Sequence, residues 1–173
     1  MADSGDPEKL TLDVAPHDAD VGGISIERLV NLFSRPRPPK ELIAGMRALG
    51  FTADSVVEMT TAKSRDVVYS WAAGRARPGQ EQAQRLDEIR RALLLICAAP
   101  ELGPDSAWML FNARFGGMEG NGPTAMQLIA QGHAAKVIEQ LEALIDDDRS
   151  GGDPIAAADR APEPSPAASR SDE

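Results

Sequence analysis

Apolar residues recur three and four positions apart along most of the chain between residues 25 and 145, which is the spacing of amphipathic helices. Five such stretches precede residue 99, at 26–33, 40–49, 52–60, 64–73 and 81–98, and proline or glycine separates most of them. Three more follow, at 104–115, 124–132 and 133–145. The pattern predicts an all-α protein, built as a helix-turn-helix bundle followed by a small helical domain.

The fourth stretch is short and has a stop signal at its carboxyl end. Ser64 precedes it as a candidate cap, Val68 and Trp71 form its apolar side, and Gly74 ends it. The helix before it begins after Thr52. Two short helices joined by a tight turn are typical of a helix-turn-helix, whose second helix lies in the major groove of DNA.

The polar side of this second helix carries the candidate DNA contacts. We expect Lys63, Arg65 and Tyr69 to contact base edges, and Arg75 and Arg77 to contact phosphates. The alternative is that Arg75 and Arg77 belong to an ordinary solvated face with no DNA contact, and the same two interpretations apply to Arg90 and Arg91.

The net charge of -9 is unevenly distributed along the chain. Residues 35–98 hold eleven basic and seven acidic residues, whereas the parts before and after them are acidic. DNA attraction depends on local potential, so an acidic total is compatible with DNA binding and predicts strong salt sensitivity.

Both ends of the chain lack helical periodicity. Residues 1–23 are rich in Asp, Gly and Pro, and 148–173 form an acidic tail rich in Pro, Ala and Ser, so both are predicted to be disordered. Between them, residues 24–98 are predicted to form the helix-turn-helix domain with a preceding short helix, and 99–147 a second helical domain. The wide apolar face of 81–98 requires partners on two sides.

Residues capable of catalysis or metal binding are sparse. Two histidines and the single Cys97 show no clustering with carboxylates, so we predict no enzyme, no catalytic residue, no metal site and no cofactor. Cys97, Trp71 and Trp108 are expected in the core. One cysteine, no signal-peptide pattern and no long apolar run favour a cytoplasmic protein with no membrane contact.

Two groups of residues resemble one known family. The first is Val68-x-x-Trp71-x-x-Gly74-x-x-x-Pro78 followed by Arg85-Leu86-x-x-Ile89, which resembles the Xre-type helix-turn-helix of the MbcA/ParS/Xre antitoxins. The second resembles their carboxyl-terminal toxin-binding domain and comprises Ala107-Trp108-Met109, Asn112, Phe115-x-Gly117, Met126-x-Leu128-Ile129-x-x-Gly132 and Val137-Ile138-x-x-Leu141. The resemblance covers roughly residues 40–146.

This resemblance implies an antitoxin that neutralises a RES-domain, NAD-consuming toxin and represses its own operon. The toxin-binding residues that it implies are Trp108, Asn112, Phe115, Gly117, Met126 and Gly132. Repression requires a homodimer or higher oligomer, because two recognition helices must bind two sites on double-stranded operator DNA that are about one turn of the double helix apart. The alternative is a stand-alone Xre-like transcriptional regulator that uses its carboxyl-terminal domain for oligomerisation.

Overall fold

The all-α fold predicted from the sequence is confirmed in a computed structural model, which describes residues 23–115 and 121–150. Its helices are α1 (Ile26–Phe33), α2 (Pro39–Ala48), α3 (Ala53–Thr60), α4 (Arg65–Ala72), α5 (Gln80–Ala98), α6 (Ala107–Asn112), α7 (Ala125–Ala130) and α8 (Ala134–Ser150). A 3-10 turn at Pro104–Ser106 leads into α6, and a single bridge pairs Arg114 with Thr124 within these described ranges.

Side-chain caps fix where several helices begin. The backbone N–H of Arg28 donates to Ser25 Oγ at 3.4 Å at the start of α1. Thr52 and Ser55 form a reciprocal capping box on α3, so two backbone N–H groups that the helix leaves unpaired find acceptors. Ser64 stands at the N-cap of α4 as predicted, but its side chain makes no capping hydrogen bond.

α5 is the central helix. It contacts α1 and α8 most extensively, and also packs against α2, α3, α6 and α7. Leu86, Ile89, Leu93 and Ile96 are each at most 2% exposed, so this stripe of its apolar face is covered. Burial raises the pKa of the Cys97 thiol near its end to about 12, and the predicted core position of this cysteine is confirmed.

The hydrophobic core is continuous along the chain. It joins Phe33 and Met59 of the first half to Phe111, Ile129 and Leu141 of the second. α3 and α7, which come from different halves, pack directly together. The predicted boundary at residue 98 coincides with the end of α5, and the core extends across it.

Two sequence expectations need correction. Arg90 is neither on a solvated face nor available to DNA: it is 8% exposed, and its Nη1 donates to the carbonyl oxygen of Phe33 at 2.5 Å. α8 continues to Ser150, beyond the predicted start of a disordered tail at 148, and Arg149 pairs with Glu101 at 3.3 Å. The predicted disorder elsewhere, at 1–22 and 151–173, lies outside the described residues.

Candidate nucleic-acid interface and apolar partner surface

α3, a four-residue turn and α4 form a compact unit on the surface of the core. Each helix has eight residues, and Thr61 in the turn adopts a left-handed conformation with φ 55°. The Thr60 hydroxyl donates to the Val56 carbonyl oxygen at 2.6 Å and closes the end of α3. Two short helices with this connection have the arrangement expected of a helix-turn-helix.

The inner side of α4 holds it on the core. Val68 and Trp71 are 1% and 4% exposed, and α4 packs against both α2 and α3. The predicted core position of Trp71 is therefore confirmed. Gly74 ends the helix with φ +70°, a conformation that favours glycine.

All five predicted DNA-contacting residues are exposed. Arg65 and Tyr69 lie on α4, Lys63 lies in the turn before it, and Arg75 and Arg77 lie in the loop after it. The fold therefore presents all of them on one helix and its two flanking segments. Their roles as base and phosphate contacts stay predictions.

Arg65 has an acidic partner that the sequence did not reveal. Its Nε contacts Asp54 Oδ1, and the two side chains are 64% and 60% exposed. Residues 52–78 contain four bases against three acids, so the potential of this surface depends on how these charges are paired. Only the packing of α3 beside α4 could show that this arginine faces this aspartate.

α6 presents an apolar surface, which we call the α6 patch and define as Trp108 and Met109. Their exposed fractions are 39% and 65%. The expectation of a core position for Trp108 is wrong, because the side chain is 39% exposed although its ring packs in a T-shaped contact against Phe51, with centroids 5.4 Å apart. Phe51 and Phe111 are buried beneath it, with their rings 5.0 Å apart.

The other residues implied as toxin contacts lie in different environments. Asn112 is exposed, and its side-chain amide donates to the Trp108 carbonyl oxygen at 2.8 Å. Phe115 is half-buried against the core, and Met126 is buried at 6% exposure, so its side chain contributes to the core. Gly117 lies outside the described residues.

Gly132 has a conformational role at the turn between α7 and α8. It is exposed and adopts φ +85°, and a Cβ at this position would lie 3.1 Å from Arg85 Nη1. Arg85 also pairs with Glu81 and Glu88 along α5. Glycine therefore allows the α7–α8 turn to approach the guanidinium closely.

The described residues contain no group of three or more His, Cys, Asp and Glu side chains placed to hold a metal ion. Among the helices of residues 23–115 and 121–150, none has the length and apolar character needed to cross a membrane. No family model, curated protein or solved structure matches this chain.

Proposed function

We propose that this protein is the antitoxin of a toxin–antitoxin pair, which neutralises a RES-domain, NAD-consuming toxin and represses its own operon through α3 and α4. The observation that carries the proposal is the α6 patch. Large exposed apolar side chains are typical of protein-binding surfaces, where Trp and Met are enriched relative to the rest of a surface. The sequence resemblance assigns toxin binding to the same helix.

The mechanism is steric. An antitoxin needs no catalytic group of its own, because covering the substrate cleft of an enzyme is enough to inhibit it. Trp108 and Met109 supply the apolar centre of such a contact, and the exposed Asn112 beside them supplies a polar group for its rim.

The regulatory surface is α4 with its flanking segments. Exposed Lys63, Arg75 and Arg77 place positive charge before and after the helix, and Tyr69 is 42% exposed on it. These groups supply the phosphate and base contacts that a helix in the major groove requires. An oligomer would bring a second copy of α4 to the operator.

The test is capture of the toxin by the tagged full-length chain after co-expression with a neighbouring gene product of the RES type, followed by an assay of NAD consumption. We expect a complex in which NAD consumption is suppressed. Met109→Glu should weaken the complex at least about tenfold by placing a charge at the centre of the interface. Leu144→Glu, on α8 with 43% exposure, is the matched control and should leave it intact.

A second candidate function is a stand-alone transcriptional regulator, favoured by the continuous core. Because α6, α7 and α8 complete the packing of α3 and α5, the chain needs them even without a toxin. This function predicts operator binding with no captured toxin. It also predicts that Met109→Glu lowers the oligomeric state measured by light scattering, since the α6 patch would then bind a second copy.

A further inference from the structure

Asp54 and Arg65 both lie in the first turn of their helices, α3 and α4. Asp54 is the second residue of α3, Arg65 is the first residue of α4, and eleven positions separate them in sequence. Their side chains contact each other, and both are exposed. The contact therefore links the starts of both helices on the exposed side.

Stability does not explain this pair. Both side chains are more than half exposed, and exposed ion pairs contribute little to folding because water screens them and two long side chains lose freedom. α3 is already held by its capping box, and α4 by Val68 and Trp71. The pair instead limits the positions that the Arg65 guanidinium can occupy.

The contact uses one edge of the guanidinium and leaves another available. Asp54 engages Nε, while Nη1 and Nη2 have no partner among residues 23–115 and 121–150. These two nitrogens donate side by side in one plane, and the O6 and N7 acceptors of guanine in the major groove match that arrangement. An arginine held through Nε thus presents its two terminal donors toward a base edge.

We propose that Asp54 is a positioning residue that holds Arg65 to read a guanine, so that the DNA sequence recognised by this protein contains a G·C pair at the position facing the start of α4. This inference rests on the proposed DNA binding by α3 and α4. The aspartate also offsets one positive charge near the phosphates, so it contributes specificity more than affinity.

The experiment is a selection of binding sites from a pool of randomised double-stranded DNA by the full-length protein, followed by titrations with duplexes changed at one base pair. Arg65→Ala should remove a preference of about tenfold or more for G·C at one position. Asp54→Ala should reduce the same preference to about threefold or less while leaving the other positions unchanged. Arg65→Lys should behave like Arg65→Ala, because an ammonium keeps the charge without the paired donors.

Glu58→Ala is the matched control. Glu58 is exposed on the same helix four residues after Asp54, so its removal takes away the same charge without touching Arg65. Asp54→Ala and Glu58→Ala should each raise the affinity for duplexes in general, because each removes a negative charge, but only Asp54→Ala should reduce the G·C preference. Circular dichroism of all variants should retain the helical signal, because every substituted side chain is exposed.

The outcomes separate this inference from the proposed function. If the unmodified protein enriches no sequence and binds all duplexes alike, the proposed regulatory function fails. If it enriches a sequence but Asp54→Ala and Glu58→Ala give the same base preferences, the positioning role of Asp54 is overturned while DNA binding stands.

Discussion

Arg90 links α5 to the end of α1 through a buried guanidinium, and its removal should destabilise the fold. Its Nη1 donates to the Phe33 carbonyl oxygen at 2.5 Å, and its Nε to Asp87 Oδ1 at 2.8 Å. Phe33 is the last residue of α1, so its carbonyl has no partner within the helix. Arg90→Met keeps much of the apolar stem but removes both hydrogen bonds. Because two hydrogen bonds of a buried charged group are lost, we expect the free energy of unfolding to fall by about 2–3 kcal/mol, the upper part of the range of about 1.5–3 kcal/mol for hydrogen bonds to charged groups.

Arg91→Met is the control for this prediction. Arg91 pairs with the same Asp87 at 3.0 Å, but its side chain is 62% exposed, so its loss should cost at most about 1 kcal/mol. In urea unfolding followed by circular dichroism, with a slope of about 2 kcal/mol per molar, the midpoint should fall by about 1–1.5 M for Arg90→Met and by about 0.5 M or less for Arg91→Met. Equal shifts in the two variants would refute the assigned role of Arg90.

Two further predictions concern Cys97 and Gly132. Burial raises the pKa of Cys97, so a thiol reagent should modify this residue at neutral pH only after unfolding. The thiol ionises at lower pH in the unfolded chain than in the folded protein. The free energy of unfolding of the wild-type protein, relative to that of Cys97→Ala, should therefore decrease as pH rises from about 9 toward about 12. Rapid modification of the folded protein would contradict this. Gly132→Ala should lower the urea midpoint more than Gly74→Ala does. Both glycines have a positive φ, but a Cβ added at Gly132 would lie 3.1 Å from Arg85, whereas a Cβ added at Gly74 would lie 3.9 Å from Lys40. Equal losses would show that Arg85 moves aside freely.

The helices were predictable because their signals are local. Ser25 and Thr52 precede α1 and α3 and cap them through their side chains. Gly50 and Gly132 follow α2 and α7 and take the positive φ values that end a helix there. A cap or a terminating glycine acts within about one turn, so the sequence alone contains the necessary information.

The side-chain partners were not predictable in the same way. Arg90 and Phe33 are 57 positions apart, and nothing near Arg90 in the sequence distinguishes it from the exposed Arg91. Trp108 and Phe111 share the helical spacing of a buried stripe, and both rings contact the buried Phe51, but Phe111 is buried whereas Trp108 is exposed. Such differences depend on how the helices pack, which periodicity does not specify.

The continuous core determines which substitutions can inform on function. α3 contacts α4 on one side and α7 on another, and α6 packs against α7, so the candidate DNA-reading helix and the α6 patch are supported by the same buried side chains. A substitution that disrupts the packing of Met59 or Ile129 would therefore impair both surfaces together. A loss of DNA or partner binding in such a variant would indicate only that the protein is misfolded. Asp54 and Met109 are exposed, so their substitution leaves the core intact and changes one surface at a time. A variant at either position that lost both activities would show that the two surfaces are coupled through the core.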